Sequence, residues 1–419
     1  MLPRDRNKTL TALAGTEPVV GSKHREAQRL EHFLVNAPWE AEEVTDRRVA
    51  LLKRTPATAP HEGGVLVIDD TGDRKDGHAT AHVGTQYLGS RGKVENGIVA
   101  VTAVWADEHC YYPLFTEPYT PAHHFPRGKA DPGFRTKLVI GAHLAARAAE
   151  AGFAFRAVVA DAAYGDQDGF RADLWSAHLP FVMALKPHRG TWAREEAAHT
   201  PIDAARALAW SGPDDPGAWQ AVTRRFRDGH TETWWAADAT LGGWGPDGRI
   251  RLVVATNDPA TLPPKTTWYL ATDLPRPGSP RAGESGSRAA DLAEIVRLYG
   301  LRNWIEQGYK QVKDELGWAD FQVRSDKAIR RHWALVNCAF CFCWLQETFE
   351  HDEDDNTGSD PPVPPSWPGR LRRIRSWLAP LSMLARIWRG WTTGPLPAEL
   401  KTLSIALTNG HGISLYTPP

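Results

Sequence analysis

GGVLVIDD, Gly63–Asp70, is a short continuous apolar run led by two glycines and closed by two aspartates. That is the pattern of a buried strand whose carboxyl end reaches a functional edge. Side chains alternate across a strand, so Asp69 and Asp70 point to opposite faces and only one of them enters a given site. Outward from it, GIVAVTAVWAD (97–107) and CYYPLFTEPY (110–119) read as two more strands joined by a short polar turn, and the three suggest an antiparallel meander. The Gly-rich, basic stretch between them and the first strand (72–97) reads as a loop that tracks DNA or as a solvated hairpin. FRTKLVIGAHLAARAAEAG (134–152) is a helix closed by Gly152, FRAVVADAAYG (155–165) holds a buried strand ending at Asp161, and PFVMALK (180–186) is another buried strand. Three strands, helix, strand, helix, strand is an α/β layout.

Length and composition set the frame. A chain of 419 residues with 42% hydrophobic and 24% charged residues is globular and long for one compact domain. It contains no apolar run of membrane-spanning length and starts without an apolar signal core, which predicts a cytoplasmic protein. Four cysteines are too few for a disulfide framework. Three of them, Cys338, Cys341 and Cys343, lie in an apolar helical stretch that predicts core packing in preference to metal binding. His123 and His124, adjacent in sequence, diverge on any one element and make a poor metal pair. Net charge is −1, yet from Gly369 to the end there are seven Arg or Lys against one acid, Glu399. The domain layout that follows is a helical N-terminal region over 1–60, an α/β domain over 61–350, an acidic Pro-rich linker over 351–368 and a basic segment over 369–419. Within the second, a Trp-rich, β-rich insertion occupies about 187–275.

YGLRNWIEQGYKQVK, Tyr299–Lys313, holds no Pro and follows a run of good helix formers, so it reads as one helix. At about 100° per residue, Tyr299, Arg302, Glu306 and Lys313 fall within an arc of roughly 60°. Arg302 and Glu306 are also an ordinary i,i+4 ion pair on any wet helix. Beside two strand-borne aspartates, however, a helix-borne glutamate completes a set of three carboxylates. Such oxygen ligands suit hard Mg²⁺ ions, and two ions about 3.5–4 Å apart serve phosphoryl transfer. Arg302 and Lys313 are then placed to hold phosphates. Trp304 and Trp318 read as core residues, with stacking on an extruded base as the alternative.

Asp69 in VLVIDDTG, Asp161 in VVADAAYG and the spaced set Tyr299, Arg302, Glu306, Lys313 resemble the signature of DDE transposases of insertion sequences. The resemblance is to the insertion-sequence-four superfamily, most closely its seven-oh-one branch, and covers about Leu30 to Trp344. It implies an RNase H-like catalytic fold with an insertion between the second aspartate and the glutamate. It also implies Mg²⁺-dependent cleavage of double-stranded DNA at element ends, with Mn²⁺ as substitute, strand transfer into target DNA, and a dimer on DNA. By the same resemblance, Asp69, Asp161 and Glu306 are the catalytic metal ligands, and Tyr299, Arg302 and Lys313 bind DNA. The family's Asp-x-Thr/Ser pattern selects Asp69 over Asp70. Because these transposases carry a larger N-terminal DNA-binding region than sixty residues, a truncated one is expected here. The alternative reading is therefore a catalytically inactive or domesticated DNA-binding remnant. A structure-selective nuclease on the same fold and a two-carboxylate glycosidase stand further back.

Overall fold

The computed structural model describes residues 25–226, 229–345 and 366–391, with Thr9 and Leu13. The predicted linker (351–368, apart from 366–368), most of residues 1–24 and the C-terminal stretch beyond Trp391 lie outside the described residues. Residues 6–356 form one compact unit and residues 357–419 belong to a second. Of the second, a single helix over Trp367–Trp391 is described, with Pro380 inside it and Arg370, Arg372, Arg373 and Arg375 in its first half.

The first unit is built on one ten-stranded sheet. β1 (Val65–Arg74) runs antiparallel to β3 (Lys93–Ala106), which also pairs with β2 (Gly84–Leu88) and β4 (Tyr111–Tyr119). On its other side β1 runs parallel to β5 (Val158–Ala160), and β5 parallel to β6 (Phe181–Ala184). An antiparallel meander leading into parallel strands is an RNase H-like arrangement, and the α/β class expected from the sequence is the one found. β2 and the start of β3 form a hairpin in the Gly-rich basic stretch, the second of the two readings given for it, and its edge position leaves little apolar patterning.

Helices cover both faces, which is why β3 is buried without interruption from Ile98 to Ala106. On one face lies α3 (Lys137–Glu150), opened by Thr136, whose side chain accepts from the Val139 N–H. It approaches so closely that a Cβ on Gly141 would fall 2.9 Å from a methyl of Ile68. The opposite face carries α8 (Leu292–Gly300), α9 (Asn303–Leu316) and α10 (Asp326–Leu345). The N-terminal helices α1 (Arg25–Val35) and α2 (Ala41–Arg54) pack on α10. Fully buried Arg331 of α10 donates to the carbonyls of Leu34, Ala37 and Trp39. Cys341 and Cys343 are buried and Cys338 is half-buried, the core packing that their apolar setting predicts.

Between β5 and β6 stand the short α4 (Ala162–Gly165) and α5 (Asp168–Ser176). The insertion after β6 does not fold away from the sheet. It contains α6 (Pro201–Arg206), β7 (Gln220–Arg225), β8 (Thr231–Ala239), β9 (Arg251–Thr256) and β10 (Thr267–Thr272), followed by α7 (Arg281–Glu284). β10 pairs antiparallel with β6, and β9, β8 and β7 follow outward in that order. Its apolar side gathers Trp219, Leu241, Leu252, Tyr269 and Leu262 into a cluster of its own. All four strands, and the short α6, lie within residues 187–275, the stretch read from the sequence as β-rich. Among the described residues no helix is long and apolar enough to cross a membrane.

Asp273 closes β10 at the seam. Its carboxylate accepts from the Phe181 N–H at 2.9 Å and the Trp175 indole at 3.0 Å. Burial pushes its pKa up to about 6, against the pull of those two donors. Raised from the unfolded value, this carboxyl group contributes stability that is fully present below about pH 4 and lost as pH rises through about 6. Asp273→Asn is thus expected to flatten the fall in stability across that window by on the order of 2 kcal/mol, read as denaturation midpoints of both proteins at pH 4, 5, 6 and 7. Parallel curves would refute it.

Candidate active site

Parallel pairing sets Ile68 of β1 beside Ala160 of β5, so Asp69 and Asp161, the next residues, emerge side by side. Asp161 stands at the strand end and caps α4, accepting from the Ala163 N–H at 2.9 Å. Asp69 differs from expectation in one respect: β1 continues to Arg74, so this aspartate is mid-strand. The alternation holds. Asp69 faces Arg302, while Asp70 points to the α3 side, 3.1 Å from Lys137 Nζ and 3.4 Å from the Tyr164 hydroxyl. Burial pushes the Asp69 carboxyl up to about pKa 7; Arg302 opposes the shift and Asp161 and Asp70 add to it.

The stretch from Tyr299 to Lys313 is two helices. α8 ends at Gly300, and a tight turn, closed by Arg302 N–H to the Tyr299 carbonyl at 3.0 Å, leads into α9 with Arg302 at its N-cap. The four motif residues therefore do not share one straight face. Tyr299 is buried on α8, edge-on to Trp268, its hydroxyl pushed up to about pKa 12 by burial. Glu306 sits in the first turn of α9 with 58% of its side chain exposed. Lys313, one turn from the helix end, reaches Asp73 Oδ1 at 2.8 Å and the Gly72 carbonyl at 3.1 Å, which ties α9 to β1.

Arg302 gathers the carboxylates. Its guanidinium lies 2.8 Å from Glu306, 3.4 Å from Asp69 and 3.8 Å from Asp161. Burial works against its charge, but Asp69, Tyr299, Asp161 and Glu306 outweigh that and hold it more firmly protonated than an ordinary arginine. Three residues around this centre escaped sequence reasoning. Tyr309, half-buried three residues after Glu306, hydrogen-bonds Thr102, the cross-strand neighbour of Asp69. Tyr164 and Lys137 flank Asp70. Helical spacing from Glu306 would have flagged Tyr309; nothing local marks the other two. Trp318 stacks on Trp333 at 4.9 Å inside the core, and Trp304 stacks on Tyr111 at 4.4 Å. His124 hydrogen-bonds the Val83 carbonyl.

A family model described as DDE superfamily endonuclease matches residues 1–239, and one described as Transposase DDE domain matches residues 141–342. The chain belongs to the DDE transposase family. It is also 32% identical over 319 residues to a probable transposase for insertion sequence element IS701 from Microchaete diplosiphon, an overlap of 76% of this chain and 73% of the relative.

DDE transposases work with divalent metal ions. Among the described residues, no three His, Cys, Asp or Glu side chains stand close enough together to hold a metal as they are placed. The donors nevertheless fit one: all are carboxylate oxygens, matched to a hard cation, and all three already surround a single positive group.

Proposed function

We propose that this DDE transposase cleaves the ends of an insertion sequence and transfers the resulting 3′ ends into target DNA, with Asp69, Asp161 and Glu306 as the carboxylates that hold two Mg²⁺ ions. What supports the reading is the convergence of three carboxylates, from β1, the end of β5 and the first turn of α9, within 4 Å of one guanidinium. When bound, the ions supply activation of the attacking oxygen and neutralisation of charge at the leaving one. Asp69 and Asp161 fix one side of that site through the sheet, and Glu306 closes it from the helix. Arg302 and Lys313 bind the phosphates of the element end, Tyr299 borders them, and a dimer bridges two ends in the cytoplasm. The test is Mg²⁺- or Mn²⁺-dependent nicking and joining of duplexes bearing the element's ends; a protein that binds such duplexes yet neither cuts nor joins them would be a DNA-binding remnant.

For Lys313, a phosphate role predicts that Lys313→Ala weakens binding to all sequences alike and lowers the slope of log K against log salt by about 0.9. Titrations at several salt concentrations check this. An unchanged slope would leave Lys313 a tether to Asp73 alone.

A further inference from the structure

Arg302 is held loosely for a half-buried cation among three carboxylates. Charge-assisted hydrogen bonds run at about 2.7–2.9 Å, and only the one to Glu306 reaches that length, at 2.8 Å. The approaches to Asp69 and Asp161, at 3.4 and 3.8 Å, are long. Its Nε is buried and lacks a hydrogen-bond partner. A planar fork with an idle donor is suited to a phosphate, which offers two oxygens in one plane. The same group cannot lie between the carboxylates and on a phosphate at once, and a divalent cation drawn to those carboxylates would meet it at a few ångströms with like charge.

We propose that Arg302 is a tethered stand-in for the metal, so that binding of a DNA phosphate, by drawing the guanidinium out of the carboxylate cluster, is what opens the cluster to divalent ions. This rests on the proposed roles of Asp69, Asp161 and Glu306. The coupling is reciprocal: if DNA raises metal affinity, metal raises DNA affinity by the same factor. Its use is protective, because metal is then recruited where DNA is already seated. The turn between α8 and α9 suits the movement, since Arg302 stands at a helix N-cap, where a change in side-chain direction leaves both helices in place.

The experiment is calorimetric and needs no turnover: Mn²⁺ is titrated into the full chain, alone and with a saturating duplex carrying the element's end, and the uptake of the duplex alone is subtracted. Wild type is expected to bind Mn²⁺ about tenfold more tightly with the duplex than without, in the range usual for coupled sites. Arg302→Gln is expected to bind Mn²⁺ without DNA about as tightly as wild type does with it, and to gain little on adding duplex. Arg302→Lys, which keeps the charge but cannot reach three carboxylates, is expected to fall between the two. Equal Mn²⁺ affinity in free wild type and free Arg302→Gln, with binding still lost in Asp161→Asn, would overturn the inference and leave the metal-ligand reading standing. Should no form bind Mn²⁺ even with duplex present, the metal-ligand reading falls and takes the inference with it. The wild-type comparison needs no variant, so an unstable variant does not shelter the idea.

Discussion

A Glu306→Gln protein is expected to cut element ends on the order of 10³-fold more slowly than wild type, or not measurably, while binding the same DNA and unfolding at the same temperature. The size follows from removing one member of a set that acts as a unit. Gln keeps the volume and one oxygen but loses the charge that a hard cation needs from its ligand. The selectivity follows from position. Glu306 is mostly exposed in the first turn of α9, and its one described ion pair is the i,i+4 partner Arg302. Exposed pairs of that kind contribute a few tenths of a kcal/mol, so the fold has little to lose. Excision and nicking assays on DNA with native ends, run beside a binding titration and a thermal melt, separate the outcomes. A variant that cuts within threefold of wild type would remove Glu306 from the active site, and one that fails to fold would place it in the core, contrary to its exposure.

The second large effect concerns stability. Arg331→Met is expected to destabilise the protein by about 3 kcal/mol or more and to release the N-terminal helices first. Arg331 is fully buried on α10 and serves three carbonyls, those of Leu34, Ala37 and Trp39, around the turn between α1 and α2. Methionine preserves apolar bulk but leaves those acceptors without a donor, and each buried unsatisfied group costs about 1–3 kcal/mol. The guanidinium also lies 4.7 Å from the Trp39 ring, a further contact that is lost. Denaturation followed by tryptophan fluorescence gives the loss, and limited proteolysis should show early cleavage between residues 25 and 40. A midpoint shift equivalent to less than 1 kcal/mol would refute the assignment of Arg331 as the anchor of α1 and α2.

Where the sequence was informative, it was so for identifiable reasons. Val65–Ile68 and Val158–Ala160 are continuous apolar runs because both faces of the sheet are covered, and a run with no polar face is easy to see. Asp161 at a strand end could be read directly. The extent of β1 could not: Thr71, Gly72, Asp73 and Arg74 look like loop, and they remain in strand because β3 pairs with them residue for residue. The break between α8 and α9 was passed over. Gly300 is a residue type that closes helices, but no proline follows it, and the carboxylates that the turn brings Arg302 to come from far away in the chain. The motif spacing thus rested on one straight helix, whereas Tyr299 lies on α8 and Glu306 and Lys313 on α9. Tyr309 lay inside the quoted stretch and was passed over, since its partner Thr102 is on a strand two hundred residues earlier.

The insertion has a consequence beyond size. Had the chain passed from β6 straight to α8, β6 would be an open edge of a nearly all-apolar strand, a template for another chain's backbone. β10 caps that edge, and successive strands move the frontier outward to β7, whose outer residues Gln220, Ala221, Thr223 and Arg225 are exposed and mostly polar. Excising the insertion to make a minimal enzyme should therefore yield a sticky protein, and a workable shortening is one that retires β7 and β8 and keeps β10 as the guard strand.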